Sequence, residues 1–186
     1  MKQESLTRYI LRITLVLLAI AIVVAGLLAF VNRITAPVIA AANEKKTQEA
    51  IAQVLPGGYE TQITDFADST GLVSKVYKGQ NGYALEVNPM GFDNTITMMV
   101  GVDNEGKVLG IAIVSHTESA GLGAVAAGNN AKGQAFRDQF VGASGSVAVT
   151  KDGGTIDAIT SATITTRAVC DGINAALACV AGLGGA

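Results

Sequence analysis

A chain of 186 residues with 13 Lys and Arg against 15 Asp and Glu is close to neutral, and it has no basic cluster to hold a nucleic acid. One histidine and two cysteines exclude a histidine-built metal cluster. A hydrophobic content of 49% in a chain this long suits one membrane segment plus one domain.

The first element is apolar throughout: Ile13 to Val31 contains 19 positions and no charged side chain. At ~1.5 Å rise per residue such a helix crosses a hydrocarbon core of ~30 Å. A cleaved signal peptide is the other reading, but its apolar region runs roughly 7–15 residues, and no clear small-x-small site follows. We therefore expect an uncleaved transmembrane anchor over residues 13–31. Lys2, Arg8 and Arg12 precede it, opposed only by Glu4, whereas Arg33 follows it alone. The positive-inside bias then places residues 1–12 in the cytoplasm and the domain on the outer face of the cell membrane.

Residues 32–58 read as a helical linker. Val38, Ile39, Ala42, Ile51 and Val54 are apolar, Glu44, Lys45, Lys46 and Glu49 are solvated, Pro37 marks a kink or break, and Pro56-Gly57-Gly58 stops the helix. The domain is expected over residues 59–186. Four strand-like runs open it, Leu72–Tyr77, Tyr83–Val87, Thr95–Val102 and Val108–Ser115, joined by short turns such as Gly79-Gln80-Asn81-Gly82 and Asp103-Asn104-Glu105-Gly106. Short turns join antiparallel neighbours, so a twisted antiparallel sheet follows. Lys132–Phe140 is a short helix with Ala135, Phe136 and Phe140 turned inward. Val147–Thr150 and Thr155–Ile159 form a last hairpin. Val169, Ile173, Ala176, Leu177 and Val180 space out a final helix. Strands with segregated, flanking helices make the fold class α+β. Cys170 and Cys179 lie nine residues apart on that final helix, ~13 Å along its axis, so they are two unpaired small hydrophobes and not a disulfide.

Gly121-x-Gly123-x-x-Ala126 superficially matches a dinucleotide-binding fingerprint. Five residues separate it from the preceding strand, Gly128-Asn129-Asn130 breaks any helix, and no acidic residue lies between Val141 and Lys151, so a nicotinamide site is rejected. His116 has a strand-end hydrogen bond as its ordinary role, and Glu118 that of a solvated loop carboxylate.

The most informative stretch is Asp157-Ala158-Ile159-Thr160-Ser161-Ala162-Thr163-Ile164-Thr165-Thr166, which joins a strand-like run to the final helix. Thr163 falls at or near the first helical turn, where unpaired N–H groups and the helix dipole welcome a phosphate. Helix capping is the commoner use of such hydroxyls. Both readings stand on composition alone.

The stretch resembles the flavinylation motif of the FMN-binding-domain family. That family is shared by the G component of the Rnf electron-transport complex and the C component of the Na+-translocating NADH:quinone reductase. The motif runs Asp, two variable residues, Ser or Thr, usually Gly, Ala, Thr; here Ser161 stands in the Gly position and Thr163 in the position of the last Thr. A second stretch, His116-Thr117-Glu118-Ser119-Ala120-Gly121-Leu122-Gly123, is similar to the family's His-x-Glu-Thr-x-Gly-Leu-Gly loop, with Ser119 and Ala120 replacing Thr and Pro. Gly82–Val87, Gly91-Phe92 and Ile96–Gly101 look like its central strands. The resemblance runs from roughly Gly82 to Ala176, and the N-terminal anchor fits it too.

The resemblance implies a covalent FMN phosphoester on Thr163, supplied from FAD by a separate Mg2+-dependent flavin transferase. It further implies weaker contacts from Glu118, Gly121, Leu122, Gly123, Thr160, Ser161, Ala162, Ile164 and Thr165. No acid/base pair for substrate is evident, so redox chemistry belongs to the cofactor. The expected role is a single-pass membrane flavoprotein that relays electrons, together with other membrane, flavin and iron–sulfur subunits, in an Rnf-type ion-translocating ferredoxin:NAD oxidoreductase. The short chain, without large insertions between anchor and domain, favours the Rnf component over that of the quinone reductase. A counterpart of the quinone reductase component, a free-standing exported flavin reductase and a cofactor-free binding module are the alternatives.

Overall fold

A computed structural model describes residues 6–184. Its contacts divide the chain into two compact units, residues 1–45 and residues 46–186. A single helix, α1 (Leu6–Val54, 49 residues), runs through that division with Pro37 inside it. Of the kink or break expected at Pro37, the break does not occur. Proline removes one ladder hydrogen bond, and the turns on both sides keep the helix continuous.

Within the first unit, every residue described from Arg8 to Lys45 is exposed, including Leu11, Leu15, Ile22, Leu28 and Phe30. Mean hydropathy reaches 3.0 in this stretch. An exposed stretch this long and apolar is a candidate membrane span. The final helix is also long and apolar enough to span a membrane, but two-thirds of its most apolar window is buried (67%), which makes it a core helix instead.

The second unit is built on a five-stranded antiparallel sheet in sequential order: β1 (Thr61–Ile63), β2 (Val73–Gly79), β3 (Gly82–Val87), β4 (Thr97–Asp103) and β5 (Val108–Ser115). Residues alternate between faces with period two. Val76, Leu85, Val87, Met98, Val100 and Val102 enter the main core against Val169, Ile173, Ala176 and Val180 of α3 (Thr163–Gly182). Tyr77, Ala84, Met99 and Ala112 face the other way and pack on Ala50, Ile51, Val54 and Leu55. The last turns of the segment read as linker are therefore core. A Cβ on Gly101 would collide with the Val54 carbonyl oxygen, so helix and sheet approach this closely only over glycine.

Two further expectations are corrected. The hairpin of Val147–Thr150 and Thr155–Ile159 does not form; Thr150–Asp152 is a 3-10 turn, and one parallel bridge joins Val149 to Ile156. Gly154 lies against the Ala148 backbone, and the Thr150 and Gly154 N–H groups donate to Ile156 O and Val149 O at 2.9 and 3.0 Å. These bonds close a compact turn and leave no ladder. In α2 (Ala131–Asp138), Phe136 is buried and Phe140, just past the helix, stacks on it edge to face at 5.3 Å, but Ala135 is exposed. The three-residue strand β1 and a 3-10 helix at Gly123–Ala127 were not anticipated. Cys170 and Cys179 are both free and buried, and burial pushes the Cys170 thiol up to about 11, which makes it inert.

Candidate functional site

Helix α3 starts at Thr163, with Ala162 as the residue before it and no side chain capping the end. The hydroxyls nearby are used in other ways. Thr166 Oγ1 donates to Ala162 O at 3.0 Å and accepts from Ile159 N at 3.1 Å, which pins the incoming segment to the first turn. Thr165 Oγ1 donates to Glu118 Oε2 at 2.5 Å. Thr163 is half-buried, and its hydroxyl has no hydrogen-bond partner among the described residues. The helix ladder begins with Thr166 N–H on Ala162 O at 3.0 Å, so the N–H groups of Thr163, Ile164 and Thr165 have no intrahelical acceptor.

Glu118 is buried (8% exposed), contrary to the solvated loop carboxylate of the sequence reading. Its Oε1 accepts from Phe92 N at 2.8 Å and Asp93 N at 3.4 Å, and its Oε2 accepts from Thr165. A Cβ at Gly91 would collide with Oε1, and one at Gly123 with Oε2. Two glycines thus let three segments close around one carboxylate. His116 is half-buried, and its Nδ1 is buried without a partner, so the expected strand-end hydrogen bond is not made at that atom.

A cavity of about 300 Å³ opens over this junction, lined by Phe92, Glu118, Ser119, Leu122, Gly123 and residues 161–165. It brings together Glu118, Leu122, Gly123, Ser161, Ala162, Thr163, Ile164 and Thr165 from the sequence reading. Thr160 and Gly121 line a neighbouring cavity of about 410 Å³ instead, with Lys132, Gln139 and Asp157. Gln139 holds that side by accepting from Asp157 N at 2.8 Å and donating to Asp157 O at 3.3 Å. Phe92 was missed as a site residue. Its signal was an aromatic residue directly after a glycine in a loop, and it is 67% exposed at the cavity wall.

Residues 91–178 match the FMN-binding domain, and residues 1–54 match the RnfG N-terminal region. The G component of the ion-translocating oxidoreductase complex of Pseudomonas aeruginosa is 32% identical over 91% of this chain and 88% of its own length. The chain belongs to the RnfG family. Other members include the component of the same name from Methanosarcina acetivorans, 29% identical over 92% of this chain and 94% of that protein. The G component of the Na(+)-translocating ferredoxin:NAD(+) oxidoreductase complex of Acetobacterium woodii is 29% identical over 90% and 89%. The matched FMN-binding domain contains every residue that lines the 300 Å³ cavity.

Membership explains one local oddity. Ser161, with φ 61, is the one non-glycine residue at positive φ among the described residues, and the family motif usually has Gly there. A side chain in the left-handed region costs roughly 1–2 kcal/mol, a cost glycine avoids. Ser161→Gly should therefore raise the domain's stability by about 0.5–1 kcal/mol, since glycine's greater unfolded-state freedom offsets part of the relief. Thermal and urea unfolding of the two proteins measures this, and a lower midpoint for the glycine variant would show that no strain is present.

Proposed function

We propose that this chain is the membrane-anchored flavoprotein subunit of an Rnf-type ion-translocating oxidoreductase complex, with FMN held through a phosphoester to Thr163 Oγ1. The observation that carries the reading is a free, half-buried Thr163 hydroxyl at the first residue of α3, on the wall of a cavity also lined by Phe92, Leu122 and Ile164. These three side chains are 67%, 42% and 50% exposed. Exposed apolar side chains around a concave site suit a flat aromatic ring system.

The residues present fit FMN. Unpaired N–H groups at the start of α3 and the positive end of its dipole favour the phosphate. Close packing at Gly91 and Gly123 keeps the cavity wall compact. A bound flavin supplies one- and two-electron carriage. This chain's residues would hold it: Phe92, Leu122 and Ile164 offer the ring an apolar wall, and Thr163 offers the phosphate its attachment point. In the attachment step, Thr163 Oγ1 bonds to the FMN-side phosphorus of FAD. The anhydride P–O bond breaks, AMP departs and the hydroxyl proton is released, with a flavin transferase and Mg2+ as the catalyst.

A covalent bond suits a domain outside the cytoplasm. A micromolar non-covalent site is worth about −8 kcal/mol, yet it empties where free flavin stays below micromolar. The charge asymmetry of Lys2, Arg8 and Arg12 over Arg33 supports that orientation. Reporter fusions after Ala186 should be active outside the cytoplasm, and activity only inside would reverse it.

Thr163→Val keeps the side-chain shape and removes the acceptor oxygen. Co-expressed with a flavin transferase and run on a denaturing gel, wild type should fluoresce under ultraviolet light and Thr163→Val should be dark. Thr166→Val should keep its fluorescence. A fluorescent Thr163→Val band would move the attachment elsewhere.

A further inference from the structure

We propose that Glu118 acts on the flavin through its charge, as a buried anion in the cavity wall that holds the reduction potential down. This rests on the flavin reading above. Glu118 lines the cavity with Thr163, yet both its oxygens are already engaged by protein donors: Phe92 N and Asp93 N on one, Thr165 Oγ1 on the other. Accepting at both oxygens is the behaviour of an ionised carboxylate. Three of the roughly four acceptor positions of a carboxylate are thus used within the protein, which leaves little capacity for hydrogen bonds to a flavin.

The balancing of that charge is unusual. Among the described residues no Lys, Arg or His forms an ion pair with Glu118. Arg167, one turn along α3 from Thr163, is taken up by Asp152 with contacts of 2.7 and 2.8 Å. Its hydrogen-bond partners among the described residues are neutral donors, and no cation pairs with it directly, so its charge faces the cavity offset only by N–H and O–H dipoles. Screening is weak at a buried group. Electron uptake by a flavin in this cavity adds negative charge, and a fixed anion in the wall opposes it.

A purely structural role for Glu118, as the knot joining the loop at Phe92 to α3, makes a different prediction, and substitution separates the two. Glu118→Gln keeps the length and one acceptor oxygen for the loop N–H groups while removing the charge. Thr165→Val keeps the charge and removes a donor that offsets it. Full-length proteins, co-expressed with a flavin transferase and purified in detergent, are titrated with dithionite beside a dye of known potential.

The expected result is a midpoint potential higher than wild type for Glu118→Gln and lower for Thr165→Val. An unchanged or lowered potential in fluorescent Glu118→Gln overturns the proposal and leaves a structural knot. If Glu118→Gln takes up no flavin, Thr165→Val decides alone: a lower potential supports the proposal, and an equal or higher one overturns it. Absence of flavin from wild type itself would remove the underlying reading, and this inference with it.

Discussion

One buried carboxylate fixes where the functional end of this domain comes together. Glu118 sits on the loop after β5, accepts from the loop at Phe92 that precedes β4, and receives the hydroxyl of Thr165 in the first turn of α3. Three segments distant in sequence meet there because Gly91 and Gly123 leave room for it. Neutral hydrogen bonds each contribute about 0.5–1.5 kcal/mol, and those to a charged group more. The cost of leaving such a group unpaired is larger still, so the junction holds as a unit. The consequence is geometric. With Thr165 and Thr166 both committed to fixing the helix start, Thr163 is the hydroxyl in that turn left free beside the cavity.

The sheet provides the rigid support. Its two faces are covered by different helices, α3 on one and the last turns of α1 on the other. Strand β3 is buried at every position, as a central strand between two layers must be. Packing of Val54 over Gly101 brings the end of α1 into the domain's core. Ala50, Ile51, Val54 and Leu55 are thus part of the structure that shapes the domain.

Much of this was legible in the sequence for identifiable reasons. Strand β5 followed from a strand-like apolar run bounded by turn residues, and the start of α3 from the helical spacing of its apolar residues. The hydroxyl-rich turn was legible as a motif, but the division of labour within it was not. Nothing local tells that Thr165 turns toward a carboxylate 47 residues away while Thr163 stays free. The false hairpin at Val147–Ile159 had strand-like composition, yet Gly153-Gly154 closed it on itself before a ladder could form. The burial of Glu118 was not legible, because a charged residue in a glycine-containing loop ordinarily faces water. Its burial depends on backbone donors from another loop, invisible to any local pattern. Phe92 was overlooked because an exposed aromatic acquires meaning only beside Leu122 and Ile164, which the fold alone brings to it.

The proposed phosphoester would put one FMN on Thr163. Intact-mass measurement of the native, membrane-extracted protein, followed by fragmentation of its peptides, tests it most directly. A single FMN adduct per chain is expected, carried on the peptide containing Thr163 with fragment ions that separate it from Thr160, Ser161, Thr165 and Thr166. An unmodified native mass, or an adduct on any other residue, would contradict it.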